Sequence, residues 1–124
     1  MSKQNITGKV GEEEARKYLI EHGYEILHSN WRWRHYEIDI VAANDNELVI
    51  IEVKTRTAGC LLSPEEAVTR TKIRRVVEAA NEYIRSFDLE KAIRFDIISV
   101  LKKGEYYEIE HIEDAFHAPL SWKR

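Results

Sequence analysis

Apolar positions keep a helical period at the N-terminus, alternate through the middle of the chain, then turn helical and alternating once more. Between Ile6 and His22, residues Gly8, Glu12, Ala15 and Leu19 recur at i, i+3 and i+4. They form a narrow stripe and predict a helix that stops at Gly23, a favourable residue just past a helix C-terminus. Tyr24 to Trp33 reads as a strand with Trp31 and Trp33 on one face and Arg32 and Arg34 on the other. Glu37–Ala43 and Leu48–Val53 read as two more strands, rich in Val and Ile, joined by Asn44-Asp45-Asn46, whose residue types tolerate the positive φ of a tight turn. Ser63-Pro64-Glu65-Glu66 carries a proline suited to a first helical position and a capping-box glutamate. From there to Phe87 the stripe Ile73, Val76, Val77, Ala80, Tyr83, Ile84, Phe87 predicts an amphipathic helix, broken near Thr69-Arg70-Thr71 into a short turn and a long helix. Ile93–Leu101 and Glu105–Ile112 are the last strands, joined at Lys102-Lys103-Gly104. From His117 to Arg124 there is no period, and Trp122 is expected to pack locally or dock on a partner.

These elements predict a mixed α/β domain over residues 1–116 followed by a tail over 117–124. A chain of 124 residues builds one core, not two. Its 44% hydrophobic and 33% charged residues suit a globular protein. No apolar run approaches the ~20 residues of a membrane helix, and no signal-peptide pattern opens the chain. Cys60 is the only cysteine, which excludes an internal disulfide and makes a reducing cytoplasm the expected compartment. The histidines at 22, 28, 35, 111 and 117 lack zinc-ligand spacing and are expected at the surface or in packing.

The chemistry sits on the central hairpin. If Asp45-Asn46 form a two-residue loop, Asn44 pairs with Glu47, and counting outward sets Asp39 opposite Glu52. Opposed side chains lie about 5 Å apart at Cβ, close enough to share a metal ion. Lys54 projects from the Glu52 face, two residues on. A loop of odd length would turn Asp39 to the other face. Opposed acids repel, so their juxtaposition on a half-buried surface suggests an expected cation, and oxygen ligands select Mg²⁺ or Mn²⁺ rather than zinc. The backbone carbonyl of Val53 is a further ligand candidate. Glu12 lies in the helix stripe and can reach the strand acids, whereas Glu13 projects toward Lys9, Lys17 and Ile20. Gly8 and Gly11 cost the helix roughly 1 kcal/mol each relative to alanine, which predicts close backbone approach there.

Gly8-x-x-Gly11-Glu12-x-x-Ala15, Tyr18-Leu19, Gly23-Tyr24, Asn30, Glu37-Ile38-Asp39 and Glu52-Val53-Lys54-Thr55-Arg56 together resemble the YraN family of uncharacterised bacterial proteins. Ser63-Pro64-x-x-Ala67-Val68, Lys72, Arg94-Phe95-Asp96 and Ile109-x-His111-Ile112-x-x-Ala115-Phe116 extend the resemblance over nearly the whole chain. That family is in turn similar to the restriction-endonuclease-like (PD-(D/E)xK) nucleases, especially the archaeal Holliday-junction resolvases. The resemblance implies an α/β/α sandwich with a central mixed five-stranded sheet, and a metal site at Glu12, Asp39, Glu52 and Lys54. Ile38 stands where the superfamily motif has proline, and Arg34-His35-Tyr36 is a bulkier lead-in than the family's glycine-rich one.

A net charge of −3 argues against a strongly basic, non-specific nucleic-acid binder. The charge is unevenly placed, however. Arg32, Arg34, Lys54 and Arg56 flank the candidate site, and Arg70, Lys72, Arg74 and Arg75 cluster at the start of the long helix. Arg34, Arg56, Arg70 and Lys72 are the candidate nucleic-acid contacts, Lys72 reaching a phosphate from the facing helix. Asp96 is expected to be structural and paired with a nearby arginine. The function these residues point to is a Mg²⁺- or Mn²⁺-dependent endonuclease acting on DNA, junction or otherwise branched, and working as a homodimer like the resolvases. The alternatives are a non-catalytic nucleic-acid-binding module of the same fold, acting with a partner protein, and a phosphoesterase of small nucleotides.

Overall fold

The computed structural model describes residues 3–57, 59 and 62–117, with side chains from Gly8 onward; Cys60 and Trp122 lie outside the described residues. In chain order the elements are α1 (Lys3–Glu21), β1 (Glu25–Trp33), β2 (Tyr36–Ala43), β3 (Glu47–Thr57), α2 (Arg70–Phe87), β4 (Ala92–Lys103) and β5 (Tyr106–Phe116). The strands form one five-stranded sheet in the order β1-β2-β3-β4-β5. Only β3 and β4 run parallel, because α2 carries the chain across between them; the other neighbours are antiparallel hairpins.

Asn44 sets the centre of the sheet. Its Oδ1 accepts from the N–H groups of Asn46 (2.9 Å) and Glu47 (2.7 Å), and its own N–H donates to the Glu47 carbonyl (3.1 Å). The two-residue loop fixes the pairs Ala43↔Leu48, Ala42↔Val49, Val41↔Ile50 and Ile40↔Ile51, as the turn chemistry predicts. Leu48 and Ile50 then join Ile38, Val41, Val76, Val77, Ala80 and Tyr83 in one core under α2. Val49 and Ile51 join Ala15, Leu19, Ile40, Ala42, Ile98 and Val100 in a second core under α1. The result is an α/β sandwich, a mixed sheet covered by one helix on each face.

Element boundaries differ from expectation where pairing outlasts the apolar run. β3 continues to Thr57 because every residue from Glu47 onward has a parallel partner in β4. Ser63 and Glu66 do make the reciprocal capping-box bonds (2.9 and 3.2 Å), but they close a single turn. The regular helix starts afresh at Arg70, where the Thr69 side chain accepts from Lys72 N–H. Asp88, in a left-handed conformation, ends it. No helix among the described residues is long and apolar enough to cross a membrane.

The two N-terminal glycines part company. A Cβ at Gly11 would lie 1.9 Å from Thr55 Oγ1 of β3, so α1 crosses the sheet at contact distance there. Nothing lies within 4 Å of the corresponding position at Gly8 among the described residues, and close approach does not explain that glycine.

Candidate metal centre

The β2–β3 ladder opens just past Ile40↔Ile51, so the expected Asp39↔Glu52 pair does not form as a ladder pair, and the candidate site occupies the resulting fork. Ile38 packs in the α2 core and Ile40 in the α1 core, so the strict alternation of β2 breaks at Asp39 between them. Asn30, which lies across from Asp39 in the β1–β2 register, has φ 53°, a left-handed conformation that asparagine tolerates better than most residues. With β2 turned in this way, Asp39 reaches sideways into the fork. Its Oδ2 accepts from Val53 N–H at 2.9 Å, taking the place of a backbone carbonyl. In an extended strand the N–H and C=O of one residue point the same way, so the Val53 carbonyl also faces the fork.

Glu52 projects from β3 toward α2. It is 3% exposed. Its Oε2 lies 3.7 Å from Lys54 Nζ and 3.6 Å from Lys72 Nζ, while its Oε1 is buried with no hydrogen-bond partner among the described residues. Burial pushes the Asp39 carboxyl up to about 7, with the Glu52 charge adding to the effect and the Val53 N–H opposing it. Burial likewise raises Glu52, against the lowering influence of Lys72, Lys54 and a hydrogen bond shared with Asp39. Two acids in this condition hold a proton between them near neutrality unless a cation replaces it.

Glu12 approaches from the α1 side. Burial raises its carboxyl, a hydrogen bond from Asn30 opposes that, and the Asp39 and Glu37 charges raise it further. It thus shares the neighbourhood of Asp39 but is tied to Asn30, and among the described residues no three acidic, histidine or cysteine side chains already converge at ligand distance. The donor set nonetheless suits a hard divalent ion: an orphaned carboxylate oxygen on Glu52, Asp39 beside it, a carbonyl facing the same gap, and Glu12 within reach.

The basic residues divide. Lys72 comes into the centre itself, onto Glu52. Arg70 stands exposed at the first position of α2. Arg56 donates to Ser99 Oγ (3.2 Å) and to the Leu62 carbonyl, which ties the segment after β3 to the sheet. Arg34 departs from the expected strand alternation: β1 has ended, φ is 57°, and its guanidinium folds back to 4.9 Å from the Trp33 ring centroid, on the Trp side. Arg32 pairs with Glu37 at 3.2 Å. Asn30 is the site residue for which the periodicity supplied no role. The available signal was an asparagine inside a predicted strand, where that residue is depleted.

A second polar cluster lies across β4 and β5. Arg94 grips Asp96 with two bonds (2.9 and 2.8 Å) and reaches Glu47 and Tyr24. Asp96 is completely buried, and it also meets His111 Nε2 (2.7 Å) and accepts from Asp114 N–H (3.0 Å). The other ring nitrogen of His111 lies 3.0 Å from the Tyr18 hydroxyl, which ties α1 to the sheet. The Arg94–Asp96 pair is the one the sequence leads one to expect; the histidine and tyrosine extend it.

Residues 11–100 match the uncharacterised protein family UPF0102. A UPF0102 protein of Parabacteroides distasonis is 54% identical over 119 residues, covering 96% of this chain and 98% of the relative. Those of Bacteroides thetaiotaomicron (51% over 120 residues; 97% and 99% covered) and Flavobacterium psychrophilum (47% over 117 residues; 94% and 98% covered) are similar to it along nearly their whole lengths. The chain belongs to the UPF0102 family, the YraN family that its motifs resemble.

Proposed function

We propose that the protein is a metal-dependent endonuclease of the restriction-endonuclease-like kind, hydrolysing phosphodiester bonds in DNA, with branched DNA as its substrate form. The observation that carries this reading is the buried, unpartnered Oε1 of Glu52 beside Asp39 at a fork in the sheet, with two lysines on the other oxygen of the same carboxylate. Protonated Asp39 can hydrogen-bond the Glu52 carboxylate, but once Asp39 is ionised that oxygen faces a second acid with no donor, which is costly and favours a cation there. Asp39, Glu52 and the Val53 carbonyl would hold Mg²⁺ or Mn²⁺, with Glu12 as a further ligand. The ion supplies Lewis-acid polarisation of the phosphate and a water more acidic than bulk. Lys54 orients the attacking water and stabilises charge developing on the phosphate, and Lys72, released from Glu52, holds a phosphate oxygen. Arg34 and Arg70 contribute a basic rim that positions the backbone.

The test is cleavage of labelled junction, flap, duplex and single-stranded DNA with Mg²⁺ or Mn²⁺, beside Asp39→Ala and Lys54→Ala. Metal-dependent cutting that falls by at least about 100-fold in both variants is expected, the scale of removing one charge-stabilising group. No cutting, with binding unchanged in the variants and in chelator, replaces the enzyme with a non-catalytic binding module.

A further inference from the structure

The β1–β2 turn and the middle of α2 enclose an open cavity of about 440 Å³, of which the hydrolytic reading uses only Arg34. That volume is typical of a small-molecule site. Trp33 and Tyr36 form one wall, their ring centroids 5.6 Å apart and their planes at 41°. Arg34 lies against the Trp33 ring, and α2 supplies Glu78, Asn81 and Arg85. The charges on the helix side are engaged locally. Arg85 pairs with Glu82 at 3.2 Å, and Glu78 accepts from the Tyr36 hydroxyl, which holds that phenol above its ordinary range. The cavity therefore offers aromatic faces, a guanidinium plane and the Asn81 amide, which both donates and accepts. A flat, uncharged ring with donors and acceptors on its edge matches that lining; its two arginines are offset by two glutamates, so it offers a phosphate no net positive charge.

Position relates the cavity to the acids. Tyr36 precedes Asp39 by three residues of β2, about 10 Å along the strand. Glu78 follows Lys72 by six residues of α2, about 9 Å along the axis. Both elements thus set the near edge of the cavity about 10 Å from the acids, roughly three stacked nucleotides of a duplex strand and fewer of an extended one. We propose that this cavity receives one unpaired nucleobase of the strand whose backbone lies at Glu52 and Lys54. The choice of a strand rests on the nucleic-acid reading above; the aromatic and amide lining does not.

The experiment is fluorescence anisotropy with the full chain in chelator, so that no cutting occurs, comparing a labelled single-stranded oligonucleotide with the same sugar–phosphate strand lacking bases. Binding of the base-free strand is expected to be about 5- to 100-fold weaker, the worth of one base stacked on an aromatic side chain. Trp33→Ala and Asn81→Ala should weaken the intact strand and leave the base-free strand unchanged. Asn81 is exposed on α2, so its variant keeps the fold even where Trp33→Ala lowers stability. Equal affinity for the two strands, or equal loss on both in the variants, overturns the proposal. Displacement of the intact strand by a free nucleoside monophosphate but not by ribose phosphate supports it and assigns the cavity to free nucleotides as well. Base-dependent binding by a protein that cuts nothing removes the hydrolytic reading alone; cutting without base dependence removes the cavity assignment alone.

Discussion

Asp39 bears a charge where charge is disfavoured, and its proton should report this. Its carboxyl is raised from 3.8 to about 7 in the folded chain, mainly by burial. Between those values the folded state binds more protons than the unfolded state, so the metal-free protein loses stability as pH rises from about 4 through about 7, and no more above that. Asp39→Asn removes the effect. Its melting temperature in chelator is expected to exceed the wild-type value at pH 8 by on the order of 5 °C, with little difference at pH 4. Mn²⁺ should raise the wild-type melting temperature, more at pH 8 than at pH 6 because protons compete for the same oxygens, and should leave the variant unmoved. A wild-type melting temperature indifferent to Mn²⁺ at pH 8 would sink the metal assignment. Asp96 has the opposite sign. Burial would raise it, but bonds from His111, Arg94 and the Asp114 N–H together hold it below its usual range. Its contribution is therefore complete above the ordinary carboxylate pKa and is lost as pH falls through its folded value. Asp96→Asn is expected to cost about 3 kcal/mol in urea unfolding at pH 7, the lower end for a broken buried pair because Arg94 keeps Glu47 at 2.9 Å, and the deficit should shrink toward pH 3.

At the scale of elements, the site depends on how closely α1 lies on the sheet. Gly11→Ala forces a methyl into Thr55 Oγ1 and should destabilise by about 1–3 kcal/mol, with metal affinity falling as Glu12 lifts away. Gly8→Ala meets open space and should stabilise the helix by up to about 1 kcal/mol. Urea titrations of the two variants check both signs. This contrast also marks what sequence reveals. The hairpin was legible because Asn44, Asp45 and Asn46 settle the loop locally and the loop settles the register. Both glycines announced close approach equally well, and only the crossing of helix over strand distinguishes them. Strict alternation places Arg34 on the wrong face because β1 ends one residue before it, at Trp33. The aromatic cavity depends on that reversal and was not visible beforehand. His111 and Tyr18 reach the Arg94–Asp96 pair from elements far apart in sequence, and no local period connects them.

For the molecule as a whole, one feature of the sheet has a consequence for assembly. Its order leaves β1 and β5 at the rims. The β5 rim carries Glu108, Glu110, Glu113 and Asp114, all exposed, and Asp114 bends the backbone at φ 55°. A second copy adding its own β5 there in antiparallel fashion would set a row of carboxylates against its mirror row and meet a kink where the pairing should continue. The sheet is thereby capped at five strands from within. Copies of this chain that associate are therefore expected to do so elsewhere than along β5.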